Sequence, residues 1–235
     1  MVERLDKIVS IACGISRKDA RAAIKNGAVS VDGAVVTDIS KKVDTQSQLT
    51  VFGQPKTYSQ FIYIMLNKPS GILSASNDKT RETVVDLVKD VYKRNGLFPV
   101  GRLDKDTTGL IIITDDGDFG HKVISPKSYI EKEYIATVDK PISDEDIKVL
   151  GDGVTLADGT VCRPAKVKTV SDDRKTVSIV ITEGKYHEIK RMLGVVGAGV
   201  VSLDRKRIGS LVMDSTLGRG EHRLLTQQEI EHIWK

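Results

Sequence analysis

The polar stretch Gly101-Arg102-Leu103-Asp104-Lys105-Asp106-Thr107-Thr108-Gly109 runs without a break into Leu110-Ile111-Ile112-Ile113-Thr114. A short apolar run bounded by turn residues reads as a strand buried in a sheet. A polar turn that feeds such a strand can hold a reactive side chain on a loop backed by a rigid scaffold. Gly101 and Gly109, eight residues apart, let the backbone turn tightly at both ends. Thr107 and Thr108 can bond nearby backbone groups and stiffen the loop between them. Asp104 is the candidate reactive group. Arg102 and Lys105 flank it, and nearby cations favour the charged form of an acid, so an ionised carboxylate able to act as nucleophile or base is expected. The competing reading is a capped turn whose aspartate only satisfies backbone N–H groups.

Around this segment the chain reads as α+β. Leu5, Ile8, Val9 and Ala12 fall on one helix face that Gly14 ends, and Ser16 with Asp19 opens a second helix that stops at Asn26-Gly27. Val29-Ser30-Val31, Asp32-Gly33 and Ala34-Val35-Val36 make a hairpin. Residues 1–53 therefore form a small domain of two helices and a hairpin, and the polar, proline-bearing stretch 54–60 reads as a linker to a larger domain over 61–235. In that larger domain Phe61 to Leu66 is a buried strand, and Thr83 with Asp86 starts a helix faced by Val84, Leu87, Val88 and Val91. Further helices are expected near Phe119 to Ile124, after Ser143, and from Lys185. Strands are expected at Tyr134 to Val138, Thr176 to Thr182 and Val200 to Leu203. Several strands come consecutively without regular β-α-β alternation, which predicts a mixed, mostly antiparallel sheet.

Six blocks in one order resemble the RluA/RsuA superfamily of RNA pseudouridine synthases. They are Gly101-Arg102-Leu103-Asp104 with Asp106-Thr107-Thr108-Gly109-Leu110; Met65-Leu66-Asn67-Lys68-Pro69-Ser70-Gly71; Ser125-Pro126; Glu131-Lys132-Glu133-Tyr134; Glu183 to Met192; and Arg207-Ile208-Gly209. The first of these resembles the family's catalytic-aspartate motif. Arg4-Leu5-Asp6-Lys7, Ser16 to Ala20, Ile24 to Gly27 and Val29 to Gly33 look like the S4 RNA-binding module, which commonly precedes the catalytic domain in the RsuA branch. Tyr186-His187 with Lys190 looks closer to the small-subunit enzymes of that branch than to large-subunit relatives.

The resemblance implies breakage of the uridine C1′–N1 bond, rotation of the uracil and closure of C1′ on C5, with no cofactor. Asp104 is then the essential carboxylate, attacking the sugar, attacking the base or removing a sugar proton. Tyr134 matches the active-site tyrosine, whose ring can stack on a flipped base, and Lys190 the basic residue that pairs with the aspartate; without the match these would be a strand tyrosine and a helix-surface lysine. Arg102 matches a position that inserts where the base was, or else it neutralises phosphate. The partner implied is ribosomal RNA, 16S by preference, free or in a partly assembled small subunit. A large-subunit enzyme and a catalytically silent rRNA-binding factor are the alternatives.

Composition is compatible with this and excludes little. Across 235 residues the net charge is +4, which permits a polyanionic partner without demanding one. The first 26 residues hold six Lys/Arg against three Asp/Glu, and Arg4, Lys7, Arg17, Lys18, Arg21 and Lys25 are candidates for phosphate contact. Arg205, Lys206 and Arg207 form a late cationic run that contacts RNA or is a solvated flank; Arg205 and Arg207 join the RNA-binding candidates. Cys13 and Cys162 lie far apart and His121, His187, His222 and His232 lack ligand spacing, so no metal site or disulfide is expected. Glu3, Arg4, Asp6 and Lys7 leave no apolar core for a secretory signal, and the apolar run Leu193 to Leu203 is too short to span a bilayer. A cytoplasmic monomer is the expectation.

Overall fold

The computed structural model describes residues 1–234. They form two compact units, one of Met1–Ile62 with Lys89–Gly96, the other of Tyr63–Val88 with the chain from Leu97 onward.

The first unit begins with β1 (Val2–Arg4), α1 (Leu5–Cys13) and α2 (Arg17–Lys25). Ser16 Oγ accepts the Asp19 backbone N–H at 3.1 Å, which satisfies one of the donors left open at the start of α2. The hairpin of β2 (Val29–Val31) and β3 (Ala34–Val35) turns through Asp32 and Gly33, both at positive φ (51° and 81°), the turn that matches strand twist. β4 (Lys42–Asp44) pairs with β1, and β5 (Leu49–Val51) with β6 (Gln54–Lys56) completes an antiparallel sheet of order β3-β2-β5-β6. Leu5, Ile8 and Val9 of α1 and Ala20, Ala23 and Ile24 of α2 pack with Val29, Leu49 and Val51 into one core.

Two expectations change here. Gln54–Lys56 is an edge strand rather than the start of a linker, and Pro55 is tolerated there because an edge position does not require its missing N–H. Thr83 and Asp86 do exchange cap bonds, Asp86 N to Thr83 Oγ1 at 3.3 Å and Thr83 N to Asp86 Oδ2 at 2.9 Å, but the chain continues in turns. Helix forms only as α3 (Lys89–Tyr92), with Val91 exposed.

The second unit is built on a nine-stranded sheet. Its elements are β7 (Tyr63–Lys68), β8 (Phe98–Pro99), β9 (Thr108–Thr114), α4 (Gly117–Ile124), β10 (Lys132–Val138), α5 (Asp144–Asp152), β11 (Val154–Thr155), β12 (Val161–Cys162), β13 (Lys166–Thr169), β14 (Thr176–Ile181), α6 (Glu188–Val195), β15 (Val200–Ile208), β16 (Leu211–Val212), β17 (His222–Leu224) and α7 (Gln227–His232). The main order is β13-β14-β10-β15-β9-β7-β17, with β16 beside β15 and β8 beside β9. Each of these pairs is antiparallel except β15 with β9, so the sheet is mixed and mostly antiparallel, as the consecutive strands predicted. Leu110 and Ile112 pack with Met65, Phe119, Val123 and Ile208 on one face, while Ile111 and Ile113 are fully buried on the other. Burial on both faces is why this strand reads as a continuous apolar run.

The parallel join is close at Gly109, whose φ is +98°. A Cβ there would collide with the Arg205 carbonyl and the Asp204 carboxylate. Gly109→Ala is expected to lower stability by about 2–4 kcal/mol through strain and displacement of β15. Gly33→Ala, at similar φ with open space around it, should cost no more than about 1–2 kcal/mol. Urea unfolding of the two variants checks this; equal losses would mean that the β9–β15 approach imposes nothing on Gly109.

Candidate active site

The loop bearing Asp104 is fixed from beneath by the end of β7. Lys68 is fully buried. Its ammonium donates to the backbone oxygens of Pro69 at 3.0 Å, Lys105 at 3.1 Å and Thr107 at 2.9 Å. Burial pushes the Lys68 pKa down to about 8, against the pull of Asp106 and Asp104. Ser74 adds a reciprocal clamp, its hydroxyl donating to the Leu103 carbonyl at 2.9 Å and accepting the Leu103 N–H at 3.1 Å. Gly71 N–H bonds the Lys105 carbonyl at 2.8 Å, and Thr107 N–H closes the turn on the Asp104 carbonyl at 3.1 Å. With its backbone satisfied, the loop can present a carboxylate without collapsing onto it.

Asp104 meets an ammonium and an imidazole from the loop and helix that come after β14. Lys190 Nζ is 3.3 Å from Asp104 Oδ2 and 2.6 Å from Asp106 Oδ1, and His187 Nε2 is 3.5 Å from Asp104 Oδ1. Burial disfavours the Lys190 charge, but the hydrogen bond to Asp106 and the two carboxylates outweigh it and hold the ammonium pKa above its ordinary value. The same bond from Lys190 draws the Asp106 carboxyl below the usual range. Tyr134 comes from β10, where alternate residues face the core, and is buried there. Opposite it on β15, Arg205 donates Nε–H to the Leu110 carbonyl at 2.7 Å and an Nη1–H to the Tyr134 hydroxyl at 3.4 Å. Asp104, Tyr134, His187, Lys190, Arg102 and Leu203 line one pocket of about 410 Å³ of open space. An ion-paired carboxylate and an aromatic ring facing one opening are suited to holding a flat, polar ring beside an acid.

The RNA pseudouridylate synthase family matches residues 62–194, a span that contains Arg102, Asp104, Tyr134, His187 and Lys190. The chain belongs to the RNA pseudouridylate synthase family. The S4 domain family matches residues 3–49 of the same chain. Among relatives, the uncharacterized RNA pseudouridine synthase YtzG of Bacillus subtilis is 43% identical over 97% of this chain and 96% of its own. Ribosomal small subunit pseudouridine synthase A of Vibrio cholerae is 38% identical over 99% of this chain and all of its own. A crystal structure of a pseudouridylate synthase superposes with a TM-score of 0.69 at 35% identity, covering 98% of this chain and 99% of that one.

In this synthase Asp104, Tyr134, Lys190 and Arg102 gather at one pocket, whereas the late cationic run does not form an exposed RNA surface. Arg205 is buried under Tyr134, and Arg207 is pinned between Glu131 at 3.0 Å and Glu133 at 3.1 Å. The run lies in β15, whose alternation turns Arg205 inward and Lys206 outward; three charges in a row gave no sign of a strand. His187 and Lys68 were not anticipated as neighbours of the Asp104 loop. The signal for Lys68 was a lysine ending an apolar strand at a turn.

The S4 cations are organised by one acid. Asp6 is fully buried and takes Arg4 at 3.2 Å, Arg17 at 2.8 Å and Arg21 at 3.0 Å. Burial raises its pKa, but the three guanidinium groups outweigh that and hold it far below the usual carboxylate range. Three arginines on one carboxylate leave two positive charges on that face. Lys7 pairs with Glu3, while Lys18 and Lys25 are exposed.

Behind the pocket, Cys162, Glu183 and Glu188 bring their ligating atoms within 4.8 Å of one another. The charge there is already occupied: Glu183 takes Lys185 Nζ at 2.5 Å and the Arg163 N–H at 2.8 Å. Glu188 Oε2 accepts the Lys185 N–H at 2.8 Å, and Oε1 has no donor. Burial and the facing Glu183 carboxylate push Glu188 up to about 7. The folded chain thus holds this proton more tightly than the unfolded chain. Stability is therefore full below the unfolded value near 4.5, falls as pH rises through about 7, and levels off above it. Glu188→Gln, which keeps the shape without the charge, is expected to flatten this slope. At pH 9 it should exceed the parent by about 1–2 kcal/mol in urea unfolding. A variant with the parent's pH dependence would place the proton elsewhere.

Proposed function

We propose that this synthase converts one uridine of 16S ribosomal RNA to pseudouridine, with Asp104 as the essential carboxylate and Tyr134 and Lys190 in its site. The observation that carries the reading is the Asp104 carboxylate held between Lys190 and His187 at the mouth of a pocket walled by Tyr134. The reaction breaks C1′–N1, turns the uracil, forms C1′–C5, moves the C5 proton away and leaves a proton on N1. Product and substrate have the same atoms, so no group donor or redox partner is consumed. Lys190 pairs with Asp104 at 3.3 Å and holds its carboxylate toward the ribose. Tyr134 offers a ring for the detached uracil, and its hydroxyl, oriented by Arg205, assists at the C5 proton.

The target must leave its stack to reach Asp104, at a cost of a few kcal/mol. Arg102, at the rim, stacks where the base was or binds the adjoining phosphate. Residues 1–53 serve as the S4 clamp, and the face of Arg4, Arg17 and Arg21 with Lys18 and Lys25 supplies the phosphate contacts. The small-subunit substrate is supported by the name of the Vibrio cholerae relative. All pocket residues come from one chain, so a monomer suffices. No helix among the described residues is long and apolar enough to cross a membrane, in keeping with work on rRNA in the cytoplasm.

Asp104→Asn is expected to lower turnover by roughly 10³-fold or more while RNA binding persists; single-turnover assays on rRNA with pseudouridine mapping test this, and near-parental turnover would remove Asp104 from its role. Replacing Lys18 and Lys25 together by Ala should weaken binding at low salt. It should also flatten the plot of log affinity against log salt by about 0.9 for each phosphate that is no longer neutralised. An unchanged slope would show that this face does not meet the RNA.

A further inference from the structure

Consecutive side chains normally diverge, by about 100° around a helix and to opposite faces of a strand. Tyr186 and His187 do not. Their rings are stacked, 3.9 Å between centroids and 18° between planes. The cause is local backbone: His187 sits in the left-handed region at φ 47°, immediately before α6. That conformation is costly for a residue with a Cβ. It produces a two-ring slab with unequal sides. The histidine edge lies 3.5 Å from Asp104, while Tyr186 is 74% exposed and open to a partner. Tyr186 also lines a second, wider cleft of about 1500 Å³ of open space that meets the Tyr134 pocket at Asp104. Arg102 and Lys105 supply cations along that cleft, where Arg81 is paired with Asp78 at 3.2 Å.

We propose that Tyr186, backed by His187, is a stacking platform for an unpaired nucleobase of the RNA that adjoins the target uridine, with the strand's phosphates meeting the cations of the wider cleft. This rests on the reading of Asp104 as the site of uridine isomerisation and adds a second base subsite to it. A base on Tyr186 would lie beyond the His187 ring, whose Nε2 is itself 3.5 Å from Asp104. Every base has a π-face, so such a platform fixes where the strand lies without demanding a particular neighbour. A flat ring held by a second ring also loses little freedom on binding. The target is thereby presented at the end of a strand gripped on one side, and the duplex need not close again behind it.

The test compares the full-length parent with Tyr186→Ala, Tyr186→Phe and Tyr186→Trp on an rRNA fragment containing the mapped uridine. Tyr186→Ala is expected to raise KM roughly tenfold with kcat within about twofold, while Phe and Trp, which keep the ring, stay near the parent. A second measurement places 2-aminopurine at each position flanking the target and binds the RNA to the Asp104→Asn protein. One flanking position should show fluorescence quenching that is lost when Tyr186→Ala is added. Parental KM and unaltered quenching for Tyr186→Ala would overturn the platform. So would loss in Tyr186→Phe equal to that in Tyr186→Ala, which would assign the effect to the hydroxyl. A fall in kcat at unchanged KM would also overturn it, since Tyr186 would then act only by holding His187. Turnover by Asp104→Asn alone, by contrast, would refute the catalytic reading and leave the quenching result standing on its own.

Discussion

The buried ammonium of Lys68 is the interaction on which the site depends. A lone charge in an apolar interior is expensive, and here it is tolerated because three carbonyl oxygens accept its protons. Two of those oxygens belong to the Asp104 loop. The ammonium therefore couples the end of β7 to the turn before β9, two strands that are already paired from Tyr63 opposite Thr114 to Lys68 opposite Gly109. Removing it would leave carbonyls without donors in a place water reaches poorly. The position of Asp104 is in this sense a property of the strand end below it.

The interior around the pocket carries several buried charges. Lys132, Glu183, Glu188 and Arg205 are all buried. Burial pushes the Lys132 pKa down to about 8 and Glu188 up to about 7, opposite shifts with one cause, the loss of water around the charged form. Such groups contribute direction rather than net stabilisation. Arg205 illustrates this: one nitrogen anchors it to β9 through Leu110, a second reaches the Tyr134 hydroxyl, and a third has no protein partner. The aromatic hydroxyl is aimed by a cation that is itself held by the strand leading out of the Asp104 loop.

The two units place cations differently. In the first, Asp6 gathers arginines that remain about half exposed, so the charge stays available at the surface. In the second, Arg207 is enclosed by two glutamates, Glu131 and Glu133. A count of Lys and Arg along the chain weights the Asp6 cluster and Arg207 equally, although the arginines around Asp6 are more open to a polyanion than Arg207.

Local signals in the sequence settled much of the architecture, because they depend on neighbours a few residues apart. Ser16 with Asp19, Ser143 with Asp146 and the Asp32-Gly33 turn each mark an element end that the structure contains. The Leu110 to Ile113 run determined a strand buried on both faces, and the motifs around Asp104, Tyr134 and Lys190 carried the family. Tertiary structure decided whatever depends on distance across the sheet. Gly109 is required by the approach of β15, a strand far along the chain; Arg205 is an interior support because its strand alternates; His187 reaches Asp104 through one left-handed residue. The Thr83 cap failed to launch a full helix because a cap satisfies only the first turn, and the path of the chain beyond that turn is set by packing. Sequence thus specified which chemical groups the chain possesses and the local geometry of their segments. The fold alone decided which of them face one another, since pairing between distant strands leaves no periodic trace in either strand.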